Sequence, residues 1–139
     1  MNPIIESMNN YACANRWSID SGPARGLSAG QLEFPMIWHQ PLALTGKIGR
    51  NEGYLTYKLS FLLLEKGEPG NVLKKEAVRE RLEQHALGLV RTLENHERVR
   101  DVRLLSCLPA ESALTHYGEI AMTVTLEVDT LFCHPPISA

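Results

Sequence analysis

A segment in the last quarter of the chain holds the residues best suited to acid–base chemistry. Glu111 and Glu119 flank residues 112–118, and His116 lies between them. An imidazole beside carboxylates can exchange a proton near neutral pH, so these three residues could rim a small catalytic or binding pocket. The simpler interpretation is that Gly118 permits a bend and Glu119 sits at a solvated strand edge. Because nothing else in the sequence points a nucleophile to this segment, we favour the simpler interpretation.

Other reactive combinations are weaker still. Cys107 follows Ser106 inside a predicted strand, whereas a catalytic nucleophile needs a strained turn or an adjacent base, so we expect it to be an ordinary core or surface residue. The five histidines form no His-Glu-x-x-His motif, and the cysteines form no Cys-x-x-Cys motif. His85 and His96 lie about three turns apart on one predicted helix, which is too far for a single ion. We therefore predict no catalytic residues, no metal and no cofactor.

Residues 45–50 (Thr-Gly-Lys-Ile-Gly-Arg) contain glycines and cations, as phosphate-binding loops do. They lack the Gly-x-x-x-x-Gly-Lys-Ser/Thr spacing and lead into a strand, whereas a phosphate loop leads into the N-terminus of a helix. We interpret them as a hairpin tip with two solvated cations, Lys47 and Arg50. The net charge of −2 also argues against a nucleic-acid partner, which requires a concentrated basic surplus.

The composition is that of one globular domain, here predicted to span residues 1–139. Of the 139 residues 44% are hydrophobic and 22% are charged, which suffices for one core. Three widely spaced cysteines, an odd number, indicate unpaired thiols in a reducing compartment. The first residues lack the basic and apolar regions of a signal peptide, and the longest apolar run, 61–64, is far too short for a membrane span. We expect a cytoplasmic protein with no membrane partner.

Hydrophobic periodicity predicts two helices. Residues 3–14 start with a proline suited to a first turn and repeat apolar side chains at helical spacing. Residues 71–96 carry the longer helix, whose apolar stripe consists of Val78, Leu82, Ala86, Leu89, Val90 and Leu93.

The remaining segments predict strands. An extended stretch begins at Trp17, and residues 34–40 form a strand that Pro35 and Pro41 confine to a sheet edge or bend. Residues 42–48 and 54–65 form a hairpin around the turn 49–53; on the second strand both faces become apolar from residue 62 to residue 64. Residues 99–108 form a strand with Val102, Leu104 and Leu108 on one face, and residues 119–133 alternate most regularly of all.

The simplest assembly is an α+β domain. We predict an antiparallel sheet of four or five strands, with one long amphipathic helix packed on one face and a short N-terminal helix. A mobile loop is predicted at 21–31 and a frayed tail at 134–139, whereas the order of the strands stays open.

A charged stretch precedes and enters the strand 99–108. On a regular strand Arg98 and Arg100 would share a face with Val102, with Asp101 and Arg103 on the other face. We interpret this stretch as a salt-bridged edge or a subunit contact. Together with the hairpin tip it supplies the candidate interface residues: Lys47, Arg50, Asn51, Arg98, Arg100 and Arg103.

The order of elements resembles that of the small tail-terminator and tail-completion proteins of tailed phages and prophages. The residues that carry the resemblance are the strand 54–64 (Tyr-Leu-Thr-Tyr-Lys-Leu-Ser-Phe-Leu-Leu-Leu), the helix around 79–90, and residues 114–119 leading into the strand 120–128. The resemblance covers most of the chain as a pattern. It implies a non-enzymatic structural protein that assembles as a ring with copies of itself and meets other virion proteins, in the host cytoplasm during assembly. We expect residues 45–53 and 98–103 to make the contacts between subunits, by strand addition or loop docking.

Two other kinds of protein have the same layout. One is a small ligand-binding domain or enzyme, with its pocket near Glu111, His116 and Glu119 or near Trp38 and His39. The other is an adaptor that binds one partner protein without self-assembly.

Overall fold

The described part of the chain folds into two helices and six strands. The computed structural model describes residues 2–22, 34–66, 72–109 and 120–133. Its elements in chain order are α1 (Pro3–Asn15), β1 (Ser18–Ser21), β2 (Met36–His39), β3 (Ala43–Gly49), β4 (Glu52–Glu65), α2 (Val72–Glu94), β5 (Val99–Pro109) and β6 (Ile120–Cys133). The predicted α+β class is confirmed, and each predicted helix and strand is found within a few residues of its expected bounds.

The first helix has clear start and stop signals. The Asn2 side chain accepts a hydrogen bond of 2.8 Å from the Ile4 backbone N–H, and Pro3 occupies the first turn, where no intrahelical donor is needed. Arg16 closes the helix in a left-handed conformation with a φ of 60°. Within the described residues, neither helix is long and apolar enough to cross a membrane.

The strands form one mixed sheet with the order β1-β2-β4-β6-β5, and β3 pairs with the half of β4 that β2 leaves open. The two longest strands, β4 and β6, pair antiparallel along their full lengths. The prediction of four or five antiparallel strands was incomplete in two respects. The sheet has six strands in the described residues, and β1 pairs with β2 in parallel.

The position predicted for β2 was wrong in part, because this strand lies between β1 and β4 and not at an edge. Pro35 and Pro41 fall just outside its bounds, so neither removes a donor from the ladder. Pro41 instead marks the break between β2 and β3, which pair one after the other along the same side of β4. The predicted bend is therefore found, but without an exposed edge at β2.

Only the first two residues of the loop predicted at 21–31 belong to the described part of the chain. Ser21 is the last residue of β1, and the Gly22 N–H donates to the His39 carbonyl at 3.1 Å. Residues 23–31 lie outside the described residues, as does the predicted tail at 134–139.

Both helices pack on one face of the sheet. Residues of α1 and α2 share the main hydrophobic core with alternate residues of β4 and β6. Members at or near full burial include Ile4, Met8, Leu59, Phe61, Leu63, Leu82, Leu89, Val124, Leu126 and Val128. A smaller cluster of Met36, Trp38, Leu62, Leu64 and Ala121 is buried on the opposite face, here called the open face. The predicted burial of the far end of β4 on both sides is confirmed.

The strand β5 is less regular than its alternation predicted. Its register against β6 shifts between Val99 and Asp101 and again between Leu104 and Ser106. Each bulge adds one residue and reverses which side chains face the core. Leu108 therefore lies opposite Thr123 and is 61% exposed, so its expected place on the face of Val102 was wrong.

Candidate functional site

The hairpin tip, the start of β5 and the end of β6 meet at one end of the sheet. Gly53 pairs with Phe132, and the Leu131 N–H donates to the Arg98 carbonyl at 2.7 Å. The two segments singled out in the sequence, 45–53 and 98–103, are therefore neighbours in space although the whole of α2 separates them along the chain.

This end of the sheet combines apolar side chains with cations. We define the sheet-end surface by Lys47, Ile48, Tyr54, Arg100, Leu131 and Phe132. All of these except Lys47 line a shallow concavity of about 530 Å³, to which Glu52 also contributes. Ile48 is 57% exposed and Leu131 is 42% exposed. The Arg100 guanidinium lies 4.2 Å from the centre of the Tyr54 ring, and the Lys47 ammonium lies 5.4 Å from that of Phe132. Exposed aliphatic groups beside ring-stacked cations are the composition typical of a protein-binding surface.

Arg100 reaches this surface because of the first bulge in β5. The regular alternation assumed from the sequence would place Arg100 on the side of Val102, which packs against the core. In the structure Arg100 lies over Tyr54, and the expectation of a shared face was wrong.

The backbone conformation of the hairpin tip requires a glycine at position 49. Gly49 has a φ of 102°, which side-chain-bearing residues rarely adopt, and a Cβ there would overlap the Glu52 carbonyl oxygen. The tight turn leaves Arg50 and Asn51 exposed at the very end of the sheet. Both candidate residues are thus presented to solvent by backbone geometry and not by a flexible loop.

Arg103 has a different environment from the other candidate interface residues. Its guanidinium bonds Asp101 at 2.8 Å, Glu127 at 2.8 and 3.0 Å, and both carboxylate oxygens of Asp129 at 3.0 Å. The Thr56 hydroxyl also donates to Asp129 at 2.7 Å. These hydrogen bonds, first those from Arg103, hold the pKa of Asp129 below its ordinary value, and they raise the pKa of Arg103.

The charge of Arg103 is thus matched within the chain, on the open face of the sheet. By contrast, no carboxylate of the described residues lies within ion-pair distance of Lys47, Arg50, Arg98 or Arg100. Of the candidate set, Arg103 stabilises the fold while the other cations remain available at the sheet end.

The alternative pocket near Glu111, His116 and Glu119 falls outside the described residues. At the other proposed pocket, near Trp38 and His39, the tryptophan side chain is packed and does not line an open cleft. Trp38 is buried and its indole N–H donates to the Gly22 carbonyl at 3.2 Å.

The remaining reactive candidates occupy structural positions. Cys107 is half-buried opposite Val124, and burial raises the pKa of its thiol, which disfavours the reactive thiolate. His96 contacts Glu6 at 3.4 Å. Across the four described ranges no three His, Cys, Asp or Glu side chains are placed to hold a metal ion together.

A second concave site lies between the helices and was not found from the sequence. The Tyr11 hydroxyl on α1 meets Nδ1 of His85 on α2 at 2.5 Å, and the His85 ring lies 4.8 Å from the Trp17 ring. Burial raises the pKa of Tyr11 and lowers that of His85, which favours a hydrogen bond between a neutral phenol and a neutral imidazole.

The cleft around this pair has a volume of about 640 Å³. We define the interhelix groove by Asn10, Tyr11, Arg81, Gln84, His85 and Arg91, with Gly88 at its floor. A polar stripe at helical spacing on α2 is visible in the sequence, but periodicity does not reveal that α1 packs beside it.

Comparison with known protein families and with curated proteins finds no match for this chain.

Proposed function

We propose that this protein is a non-enzymatic assembly subunit that associates with copies of itself through the sheet-end surface. The observation that carries the proposal is the convergence of segments 45–53 and 98–103, which brings exposed Ile48 and Leu131 together with cations that form no ion pair among the described residues. Exposed aliphatic groups clustered at one end of a sheet favour burial against another protein.

The free edges of the sheet support self-association. Within the described chain β3 and β5 each pair on one side only, and both carry exposed aliphatic side chains. These are Leu44 and Ile48 on β3, and Leu104, Leu105 and Leu108 on β5. Contact between two different edges of neighbouring copies is heterologous, and repeated heterologous contacts form a ring when the rotation between copies closes.

The place of assembly that we propose is a phage-like tail or head–tail junction, with other virion proteins as further partners. The support for it is the resemblance of the element order and of the strand and helix patterns to the tail-terminator and tail-completion proteins. The protein would then act first in the host cytoplasm and later in the virion.

Mass photometry and light scattering over a range of concentrations test self-association. We expect a discrete oligomer for the unaltered protein, and Ile48→Glu together with Leu131→Glu should shift it to the monomer, because each change places a charge in an apolar contact. Leu87→Glu is the matched control, since Leu87 is 40% exposed on α2, away from the sheet end.

A strict monomer at high concentration would contradict the proposal. So would an oligomer that survives the double variant unchanged, because that result places the contact elsewhere on the molecule. A monomer that binds one other protein through the same residues would favour the adaptor instead.

A further inference from the structure

Cationic side chains outnumber carboxylates at the interhelix groove. Its described lining contains Arg81, Arg91 and His85 together with the amide side chains of Asn10 and Gln84, and no described aspartate or glutamate is among the lining residues. Glu65 pairs with Arg81 at 3.0 Å and also acts on His85, so the surplus positive charge of the groove rests mainly on Arg91.

The two arginines flank the central Tyr11–His85 pair. Arg81 lies one helical turn before His85, and Arg91 lies almost two turns after it on the same helix. Burial is the main cause of the lowered pKa of His85 and of the raised pKa of Tyr11. The charge of Arg81 also lowers the pKa of His85, against the opposing effect of Glu65, and the charge of Arg91 lowers the pKa of Tyr11. Both cationic groups are therefore close enough to influence the centre of the groove.

Among the described residues Arg91 has no ion-pair partner. Arg81 forms an ion pair of 3.0 Å with Glu65, whereas no carboxylate of the described residues lies within ion-pair distance of Arg91. The described carboxylates thus leave the guanidinium of Arg91 unpaired at the rim of the groove.

The floor of the groove is fixed by close packing. A Cβ at Gly88 would lie 2.8 Å from the Tyr11 hydroxyl, so the glycine is what lets the tyrosine lie against α2. The contact with Tyr11 occupies Nδ1 of His85 and leaves Nε2 as its second hydrogen-bonding nitrogen.

From these donors we infer that the interhelix groove binds a small organic anion whose phosphate or carboxylate oxygens bridge Arg81 and Arg91. The two Cα atoms are about 15 Å apart along the helix, a span that two arginine side chains and a ligand with two anionic groups can cover. The volume of about 640 Å³ lies in the ordinary range of small-molecule sites. The inference does not depend on self-association, because it concerns a different surface.

Binding of pyrophosphate and of citrate, each at constant ionic strength, tests the inference and distinguishes phosphate from carboxylate chemistry. Isothermal calorimetry measures the affinity, and the imidazole resonances of His85 in NMR report whether the ligand is in the groove. We expect at least one probe to bind, to raise the melting temperature and to shift those resonances.

Arg91→Gln is the decisive variant, since Arg91 has no described ion pair whose loss would disturb the fold. It should weaken binding about tenfold or more, as expected for a lost charge-assisted bidentate contact. The matched control is Lys58→Gln, which removes one exposed positive charge from β4, outside the groove.

Two results would overturn the inference. One is that neither pyrophosphate nor citrate binds the unaltered protein or shifts the His85 resonances. The other is that Arg91→Gln and Lys58→Gln bind the probe equally well, because a general charge effect and not the groove would then account for any binding.

Discussion

Replacing Arg103 with methionine would leave three carboxylates without their common cation. Arg103 bonds Asp101, Glu127 and Asp129, and of these only the Asp129 side chain is close to full burial, at 10% exposure. Methionine keeps most of the aliphatic length of arginine, so the loss should reflect the ion pairs more than the packing.

The expected cost follows from the burial of each partner. The two hydrogen bonds to nearly buried Asp129 should contribute roughly 2 kcal/mol, since contacts to charged groups contribute about 1.5–3 kcal/mol. The half-exposed contacts to Glu127 and Asp101 should add up to about 1 kcal/mol together, because surface ion pairs are weak. We therefore expect Arg103→Met to lower the free energy of unfolding by roughly 2–3 kcal/mol near neutral pH.

The pH dependence identifies the cause. The folded state holds the pKa of Asp129 below its ordinary value, so the stabilisation is fully present above that ordinary value and is lost as the pH falls through the folded pKa. The difference between the unaltered protein and Arg103→Met should thus narrow in acid, below about pH 4.

Urea unfolding followed by circular dichroism measures these differences at several pH values. Arg103→Lys should give an intermediate loss because lysine keeps the charge but not the forked geometry. Arg98→Met, which removes an exposed arginine in the turn after α2, should change stability by less than about 0.5 kcal/mol. An Arg103→Met loss as small as that of Arg98→Met, or one that is the same in acid as at neutral pH, would refute the reasoning.

Two glycine substitutions test the backbone geometry of the candidate sites. Gly49→Ala should lower the free energy of unfolding in urea by about 2 kcal/mol, because alanine avoids positive φ and its Cβ would overlap the Glu52 carbonyl. Gly46→Ala on the same strand is the control and should have little effect. Equal effects of the two substitutions would contradict the assigned turn. Gly88→Ala should lower the melting temperature although alanine favours helix by about 1 kcal/mol, because the new Cβ meets the Tyr11 hydroxyl. The loss should shrink in a Tyr11→Phe background, and a stabilised Gly88→Ala would show that α1 and α2 pack less closely.

The regular strands could be predicted because one face of each is buried. In β6, Val124, Leu126 and Val128 are fully buried, while Thr125 and Glu127 on the other face are not. The residue types therefore alternate between apolar and polar with the period of two that a strand has. The same logic located the far end of β4, where the alternation changes to a continuous apolar run as the second cluster covers the open face.

The pairing of short strands could not be predicted in the same way. β1 has four residues and none of them is fully buried, so its sequence contains no pattern that specifies a parallel partner. Its register with β2 depends on residues distant in the chain, such as Ser18 opposite Met36. Parallel or antiparallel addition of such a strand is decided by tertiary packing.

The candidate site was predicted in composition but not in arrangement. Lys47, Arg50 and Arg100 were chosen for their charge and their place near turns, and the register of β4 with β6 brings their segments together. Arg103 was grouped with them because sequence does not show that Glu127 and Asp129 would lie across the ladder from it. The interhelix groove was missed for a related reason, since its two walls come from helices that are far apart in the chain.

The bulges in β5 bear on how the proposed association would work. A strand can extend a sheet through its backbone only where its edge is regular, and β5 is interrupted after Val99 and again after Leu104. Between these interruptions the edge residues include charged Asp101 and Arg103, which also discourage backbone pairing. The first bulge at the same time turns Arg100 onto Tyr54 at the sheet-end surface. Of the two routes expected from the sequence, docking of side chains at the hairpin end is therefore favoured for β5 over continuous strand addition.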